Sequence, residues 1–186
     1  DRAGNMVAWV NSLYSSFGSG LTVPGYGITL HNRGGLFTLD PKSPNVIAPG
    51  KRPFNTLSAG FVMQNNRPLM TVTLMGGDMQ AQGIGQVLVN VLDLGANVQA
   101  ATDMARFRHA QVSNVLSLES PLFNLVGARL KAMGHNVRSV NGNIMGGYQA
   151  IMFSPDPTAP DASGRSLAGV YRAGSDHRKD GHAAGF

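Results

Sequence analysis

TVTLMGGDMQAQG, residues 71–83, joins an apolar, β-branched run to a glycine pair and then to a helix-forming sequence. The apolar run is typical of a buried strand, and from Gln82 onwards apolar residues recur at helical spacing. Gly76 and Gly77 lie between the two elements, where glycine lets backbone N–H groups approach a ligand closely and stabilise an oxyanion. Such a pair is equally compatible with an ordinary turn after a strand. Asp78, which follows it, can either orient this turn or cap the helix.

The flanking sequence predicts strands before this stretch, helices after it, and strands again towards the end. The predicted strands are 6–13, 26–31, 59–64, 69–74, 150–153 and 167–172, with a hairpin turn at 65–67. The predicted helices are 82–95, 97–106 and 120–134, and the last is expected to bury Leu122, Leu125, Val126, Leu130 and Met133. This order favours an α+β fold with helices packed on sheets over a doubly wound parallel sheet. We expect a single domain over 1–186, with residues 155–165 as a surface loop.

The composition excludes several classes of protein. Of the 186 residues, 42% are hydrophobic and 13% charged, as in a globular protein. The longest apolar runs are too short to predict a membrane span. The absence of cysteine excludes disulfides and thiolate metal sites. The five histidines lack HExxH or i, i+4 spacing, so we predict no metal and no other cofactor.

The net charge of +5 raises the question of an anionic partner. Basic residues are scattered, apart from His177–Lys179, and no aromatic platform accompanies that cluster. A nucleic-acid-binding module therefore ranks last among the functions considered. A solvated basic surface is the simplest interpretation, and a small anionic substrate is the alternative.

Several ordered blocks resemble the small subunit of the γ-glutamyltransferase family, which belongs to the N-terminal-nucleophile hydrolases. The blocks are FGSGLTVPGYGITLHN at 17–32, PNVIAPGKRPFNTLSAGFV at 44–62, LMGGDMQAQGIGQVLVNVLDLGANVQAATDMARFRH at 74–109, and GSDHRKDGHAAGF at 174–186. The resemblance implies a four-layer αββα sandwich that a large subunit from the same precursor completes. Two such heterodimers are expected to associate.

The resemblance also implies the catalytic machinery. The family's nucleophile is an N-terminal Thr whose own α-amine serves as base. That Thr would lie a few residues before Asp1, outside this chain. Gly76 and Gly77 match the glycine pair whose N–H groups form the oxyanion hole. Ser12 matches a Thr that hydrogen-bonds the nucleophile.

The substrate pocket departs from the family pattern. Tyr14 stands where γ-glutamyl enzymes place an Asn for the substrate carboxylate. Asn55 and Thr56 stand where they have a Ser pair for the same carboxylate. Arg33 replaces a polar pocket residue, and Leu36 replaces the Asp that pairs with the substrate's α-amino group.

Without the resemblance, these pocket residues have simpler interpretations. Ser12 is then interpreted as a solvent-facing hydroxyl on a strand, and Tyr14 as a side chain packed at a sheet edge. Arg33 is interpreted as a surface arginine. Asn55 and Thr56 are interpreted as caps of a turn.

The departures change the expected substrate. Loss of the Asp removes the partner of an ammonium group, whereas a planar arginine fork favours a carboxylate. We therefore expect hydrolysis of a small carboxylate-bearing amide such as oxamate, as in the family branch that includes oxamate amidohydrolase. A γ-glutamyltransferase or glutathione hydrolase and a glutaryl-type cephalosporin acylase remain alternatives. A catalytically dead binding relative is the alternative from another class.

Overall fold

The computed structural model describes residues 1, 3–156, 158 and 168–185. Asn11–Leu57 forms one compact unit, and Asp1–Val10 together with Ser58–Phe186 forms a second. A single domain over 1–186 therefore stays a prediction. The predicted surface loop at 155–165 lies largely outside the described residues.

The smaller unit consists mainly of turns. Its two short strands, β1 (Thr22–Val23) and β2 (Ile28–Thr29), pair antiparallel. A single 3-10 turn, Arg33–Leu36, follows. The strand predicted at 26–31 is thus reduced to β2, and residues 6–13, all described, form no strand. An alternating apolar pattern forms a strand only where a neighbouring strand supplies partners for the backbone hydrogen bonds.

The larger unit carries the remaining strands and the α-helices. In chain order they are β3 (Ala59–Gln64), β4 (Arg67–Met75), α1 (Met79–Leu88), α2 (Val98–Asp103), β5 (Phe107–Ala110), β6 (Val115–Glu119), α3 (Ser120–Ala132), β7 (Asn136–Val140), β8 (Gly147–Pro155) and β9 (Gly169–Ser175). A π-helical turn, Val89–Asp93, extends α1. No helix in the described ranges is both long and apolar enough to cross a bilayer.

The main sheet is antiparallel in the order β3-β4-β8-β9. The predicted hairpin between β3 and β4 is confirmed: Asn65 and Asn66 have φ of 51° and 59°, as a tight hairpin turn requires. One face of this sheet packs against α1 and α2. The buried residues of that core are Met70, Val72, Leu74, Met79, Val87, Val91, Val98, Ala101, Met145, Tyr148 and Ala150.

A second sheet, in the order β5-β6-β7, was not predicted from the sequence. Strands β6 and β7 are parallel and are connected through α3. The prediction that α3 buries Leu125 and Met133 is wrong, because they are 80% and 65% exposed. Leu125 lies outside the face of α3 on which Leu122, Val126 and Leu130 are half-buried, and Met133 follows the last helical residue.

Candidate active site

The glycine pair after β4 adopts a conformation that only glycine accommodates well. Gly76 and Gly77 have φ of +133° and +59°. A Cβ atom on Gly76 would lie 2.8 Å from the Cα of Gly146, so two backbones meet here without side chains between them. Gly146 is equally constrained, since its own Cβ would lie 2.4 Å from the carbonyl oxygen of Met75.

The carbonyl groups of this glycine turn are used, whereas its N–H groups are not. The Gly76 carbonyl accepts from the N–H of Met79 at 3.1 Å, and the Gly77 carbonyl from the N–H of Gln80 at 3.0 Å. Within the described part of the chain, neither glycine N–H donates a hydrogen bond. Two adjacent, half-buried donors are therefore available to an oxyanion.

Asp78 and Gln80, which follow the glycine turn, have different roles. Asp78 occupies the N-cap position of α1, but its side chain makes no capping hydrogen bond. It lies 3.8 Å from Arg108 on the surface. Gln80 is buried, and its Oε1 accepts from the N–H of Ser58 at 2.7 Å. Sequence reasoning missed Gln80, because its hydrogen-bond partner lies 22 residues earlier.

Four of the five predicted site residues of the smaller unit lie together, since Ser12, Tyr14 and Thr56 contact Arg33. The Arg33 guanidinium donates to the hydroxyl of Thr56 at 3.3 Å and to the carbonyl oxygen of Ser12 at 3.4 Å. Its Cζ lies 5.7 Å from the ring centroid of Tyr14, in a cation–π arrangement. The surface interpretation of Arg33 is wrong, since only 7% of the residue is exposed.

The surroundings of Arg33 are neutral. None of the ion pairs among the described residues includes Arg33. Its contacts are a hydroxyl, a carbonyl oxygen and an aromatic face, and position 36 holds a leucine. A buried cation without a carboxylate partner is costly. This site is therefore suited to an anion supplied from outside the unit.

The remaining polar groups of this unit are held by short-range hydrogen bonds. Ser12 Oγ accepts from the N–H of Tyr14 at 2.9 Å, and Tyr14 has an unusual φ of +78°. Asn55 Oδ1 accepts from the N–H of Leu57 at 3.1 Å, so Asn55 caps a turn, as its simpler interpretation predicts. Gly76 and Gly77 belong to the other unit.

A buried ionic cluster in the larger unit was missed by sequence reasoning. It contains Arg106, Glu119, Asp176 and Arg178. Arg106 lies 2.6 Å from Asp176, and Arg178 lies 2.6 Å from Glu119 and 3.1 Å from Asp176. The two positive and two negative charges balance. The one feature of the sequence that could have indicated this cluster is that Arg106 and Arg178 both lie in family-like blocks, MARFRH and GSDHRKDG.

The cluster keeps both of its carboxyl groups ionised. Burial alone would raise the pKa of Asp176, but the N–H of Arg178 and the charge of Arg106 outweigh it, and the pKa is lowered. Burial likewise opposes ionisation of Glu119, but hydrogen bonds from Arg178 and from the N–H of Arg106 lower its pKa. Such a cluster fixes the chain locally. Its four charges are paired with one another, whereas the buried Nε of Arg106 has no hydrogen-bond partner among the described residues.

Comparison with known proteins decides the family. A family model described as gamma-glutamyltranspeptidase matches residues 1–186. The chain belongs to this family. Its blocks around 17–32, 44–62, 74–109 and 174–186 are therefore family features, and the resemblance found in the sequence is confirmed.

Individual relatives agree on the family and differ in their named activity. The oxamate amidohydrolase proenzyme of Klebsiella pneumoniae is 32% identical over 192 residues, which cover 100% of this chain and 34% of that protein. The glutathione hydrolase-like YwrD proenzyme of Bacillus subtilis is 31% identical over 190 residues, with the same coverage. The chain thus spans about a third of the length of these curated relatives.

A solved structure agrees with the fold. An acivicin-inhibited gamma-glutamyltranspeptidase is 27% identical and superposes with a TM-score of 0.83, covering 97% of this chain and 96% of that chain. This member of the γ-glutamyltranspeptidase family therefore has the N-terminal-nucleophile hydrolase fold, and the predicted α+β class is confirmed.

Proposed function

We propose that the full-length protein hydrolyses a small carboxylate-bearing amide such as oxamate. The observation that carries this proposal is the buried, uncompensated charge of Arg33. The substrate's carboxylate supplies the missing negative charge and accepts two parallel hydrogen bonds from the guanidinium. Thr56 and Tyr14 hold that guanidinium in place, and Asn55 lies beside Thr56 as a further donor.

The catalytic group belongs to the segment before Asp1. The hydroxyl oxygen of a Thr there attacks the amide carbonyl carbon, and the α-amine of the same Thr takes the hydroxyl proton. The tetrahedral oxyanion accepts from the N–H groups of Gly76 and Gly77, each worth on the order of 3 kcal/mol. As the intermediate collapses, the protonated α-amine gives its proton to the leaving nitrogen and the C–N bond breaks, which releases ammonia from oxamate or an amine from a substituted amide. Water then hydrolyses the acyl-enzyme. Ser12 supports the nucleophile with its hydroxyl hydrogen, which stays available because the N–H of Tyr14 binds the acceptor Oγ.

The choice of substrate follows from what the Arg33 site contains. Oxamate has a carboxylate next to its amide and no α-ammonium group, so leucine at position 36 leaves no charge unpaired. A γ-glutamyl substrate carries an ammonium group that would lack a partner there. Hydrolysis of γ-glutamyl amides is the second candidate, favoured by the 31% identity to a glutathione hydrolase-like protein.

A partly exposed apolar face of the main sheet supports the proposal of a large subunit as partner. Strand register places Phe61 and Ile151 on the face opposite the core, on either side of the buried Thr71. Phe61, Met75, Ile151 and Tyr171 are between 42% and 51% exposed. A row of exposed large apolar side chains on one sheet face is typical of an interface. We propose that the large subunit of the same precursor covers it; association of two heterodimers stays a prediction.

The first test is the covalent state of the purified full-length protein. Intact mass and N-terminal sequencing should find two fragments, the smaller beginning with Thr a few residues before Asp1. A single uncut chain, or another residue at the cleavage point, would instead indicate a catalytically dead binding relative.

The second test is substrate preference and its dependence on Arg33. Release of amine from oxamate, γ-glutamyl and glutaryl amides should be fastest with oxamate. Arg33→Met should raise KM for oxamate at least about tenfold, because a charged hydrogen-bonded contact is lost, while Arg33→Lys should recover part of it. Arg129→Met, at an exposed arginine of α3, is the matched control and should leave KM unchanged. Equal KM values for all variants would remove Arg33 from the pocket.

A further inference from the structure

Two glutamine side chains of α1 bind the edge of β5 in the way a neighbouring strand would. Gln82 Oε1 accepts from the N–H of His109 at 2.8 Å, and its Nε2 donates to the carbonyl of the same residue at 2.9 Å. Gln86 binds Phe107 in the same manner, at 3.0 and 2.8 Å. Phe107 and His109 alternate along β5, and each has its main-chain N–H and carbonyl groups bound by the side-chain amide of one glutamine.

The spacing makes this pair of contacts sensitive to the position of the helix. Residues four apart on a helix are separated by about 6 Å along its axis, and alternate strand residues by about 6.6 Å. Both amides reach their partners only when α1 runs alongside β5 at one height and one rotation. We call these four hydrogen bonds the glutamine clamp. The clamp fixes α1 relative to the sheet of β5, β6 and β7.

The glycine turn moves with α1, because it is continuous with the first helical turn. The carbonyl groups of Gly76 and Gly77 accept from the N–H groups of Met79 and Gln80. A shift of α1 along β5 therefore shifts the two glycine N–H groups that the turn presents.

The backbone that packs against Gly76 is held from the same place in the chain. Gly146 lies against Gly76, and the preceding carbonyl, that of Met145, accepts from Arg106 at 3.0 Å. Arg106 directly precedes β5. The segment 106–109 thus fixes both the helix after the glycine turn and the backbone in contact with it.

We propose that Gln82 and Gln86 are positioning residues for the oxyanion-binding turn. This inference rests on the proposed role of the Gly76 and Gly77 N–H groups. The reaction requires those N–H groups to lie at hydrogen-bond distance from the developing oxyanion, and a displacement on the order of 1 Å is enough to lower the rate about a hundredfold. Loss of the clamp is expected to affect the chemical step more than substrate binding, which we assign to Arg33.

A third glutamine provides a matched control. Gln99 of α2 binds Ser175 of β9 with the same two-bond geometry, at 3.0 and 3.1 Å. Gln99 also donates to Asp103. The two hydrogen bonds of Gln99 have the same chemistry as those in the glutamine clamp. They involve a different helix, α2, which does not carry the glycine turn. A merely structural role for such contacts predicts the same behaviour for all three residues.

The experiment compares Gln82→Met, Gln86→Met and Gln99→Met in the full-length protein. We expect the first two to lower kcat for oxamate about tenfold with KM within about twofold, since partial displacement of an oxyanion donor costs less than its removal, which lowers kcat by about 10²–10³. Gln99→Met should leave both constants unchanged. Equal losses of kcat in all three variants, or no loss in the first two, would overturn the proposal.

Hydrogen–deuterium exchange of the same proteins separates this inference from the proposed function. The amides of Met79 and Gln80 close the glycine turn, and they should exchange faster in Gln82→Met and Gln86→Met than in Gln99→Met. If the unsubstituted protein hydrolyses none of the amides tested, the proposed function fails while this measurement still decides the clamp. Equal exchange in all three variants would overturn it.

Discussion

Replacing Arg106 by methionine removes the more deeply buried of the two cations in the ionic cluster. Its guanidinium binds Asp176 at 2.6 Å, the Met145 carbonyl at 3.0 Å, and the carbonyl and hydroxyl of Thr102 at 3.1 and 2.9 Å. After the change, Asp176 keeps Arg178 and the N–H of Tyr148, but the Met145 carbonyl loses its charged donor. Removing one partner of a buried ion pair costs about 3–5 kcal/mol. That is a large part of the roughly 5–15 kcal/mol that stabilises a typical domain.

A double-mutant cycle measures whether this loss comes from the pair. Urea unfolding of the full-length protein, followed by circular dichroism, would compare Arg106→Met, Asp176→Asn and the double variant. The double variant should lose less than the sum of the single losses, by about 0.5–3 kcal/mol. Arg129→Met, on the exposed side of α3, should stay within about 0.5 kcal/mol. Losses that add within about 0.5 kcal/mol would refute the coupling, as would a single loss below about 1 kcal/mol.

Three further changes follow from local features. Folding lowers the pKa of Glu119 and Asp176 below their ordinary 4.5 and 3.8. The stability that these carboxylates contribute is therefore complete above about pH 5 and is lost as pH falls through their lower native pKa values. Asp176→Asn should make this loss of stability at acid pH smaller when unfolding is measured against pH. Asn97→Ala removes the side chain that accepts from two N–H groups at the start of α2 and should cost about 1 kcal/mol in thermal unfolding; no loss would mean the cap is dispensable. Gly76→Ala should lower the melting temperature more than Gly77→Ala, because a Cβ at 76 meets backbone at 2.8 Å whereas one at 77 meets nothing within 4 Å; the reverse order would contradict the packing.

The elements that the sequence predicted well are those specified by neighbouring residues. Asn65 and Asn66 favour positive φ, and the apolar runs beside them form β3 and β4 with the expected pairing. Asn97 caps α2 as predicted. The helix ends earlier than predicted, at Asp103 rather than Arg106, because Arg106 leaves it to enter the ionic cluster.

The elements that were missed depend on partners far away in the chain. Strand β5 is only four residues long, and its free edge is satisfied by glutamines 21 and 27 residues earlier. Strand β7 pairs with β6 in parallel across a whole helix. Neither pairing leaves a local pattern, since FRHA and NVRSV are mixed polar and apolar.

The two buried arginines show why the candidate site could be named from the sequence while its electrostatics could not. Arg33 and Arg106 are 7% and 2% exposed; Arg106 lies in a family-like block, and Arg33 directly follows one. Arg106 faces Asp176, 70 residues later, so its charge is used within the fold. Among the described residues, Arg33 makes its contacts with neutral groups, one of which is Thr56, 23 residues later. Only the three-dimensional neighbours distinguish a structural cation from one left to bind an anion, and this difference assigns the substrate carboxylate to Arg33 in our proposal.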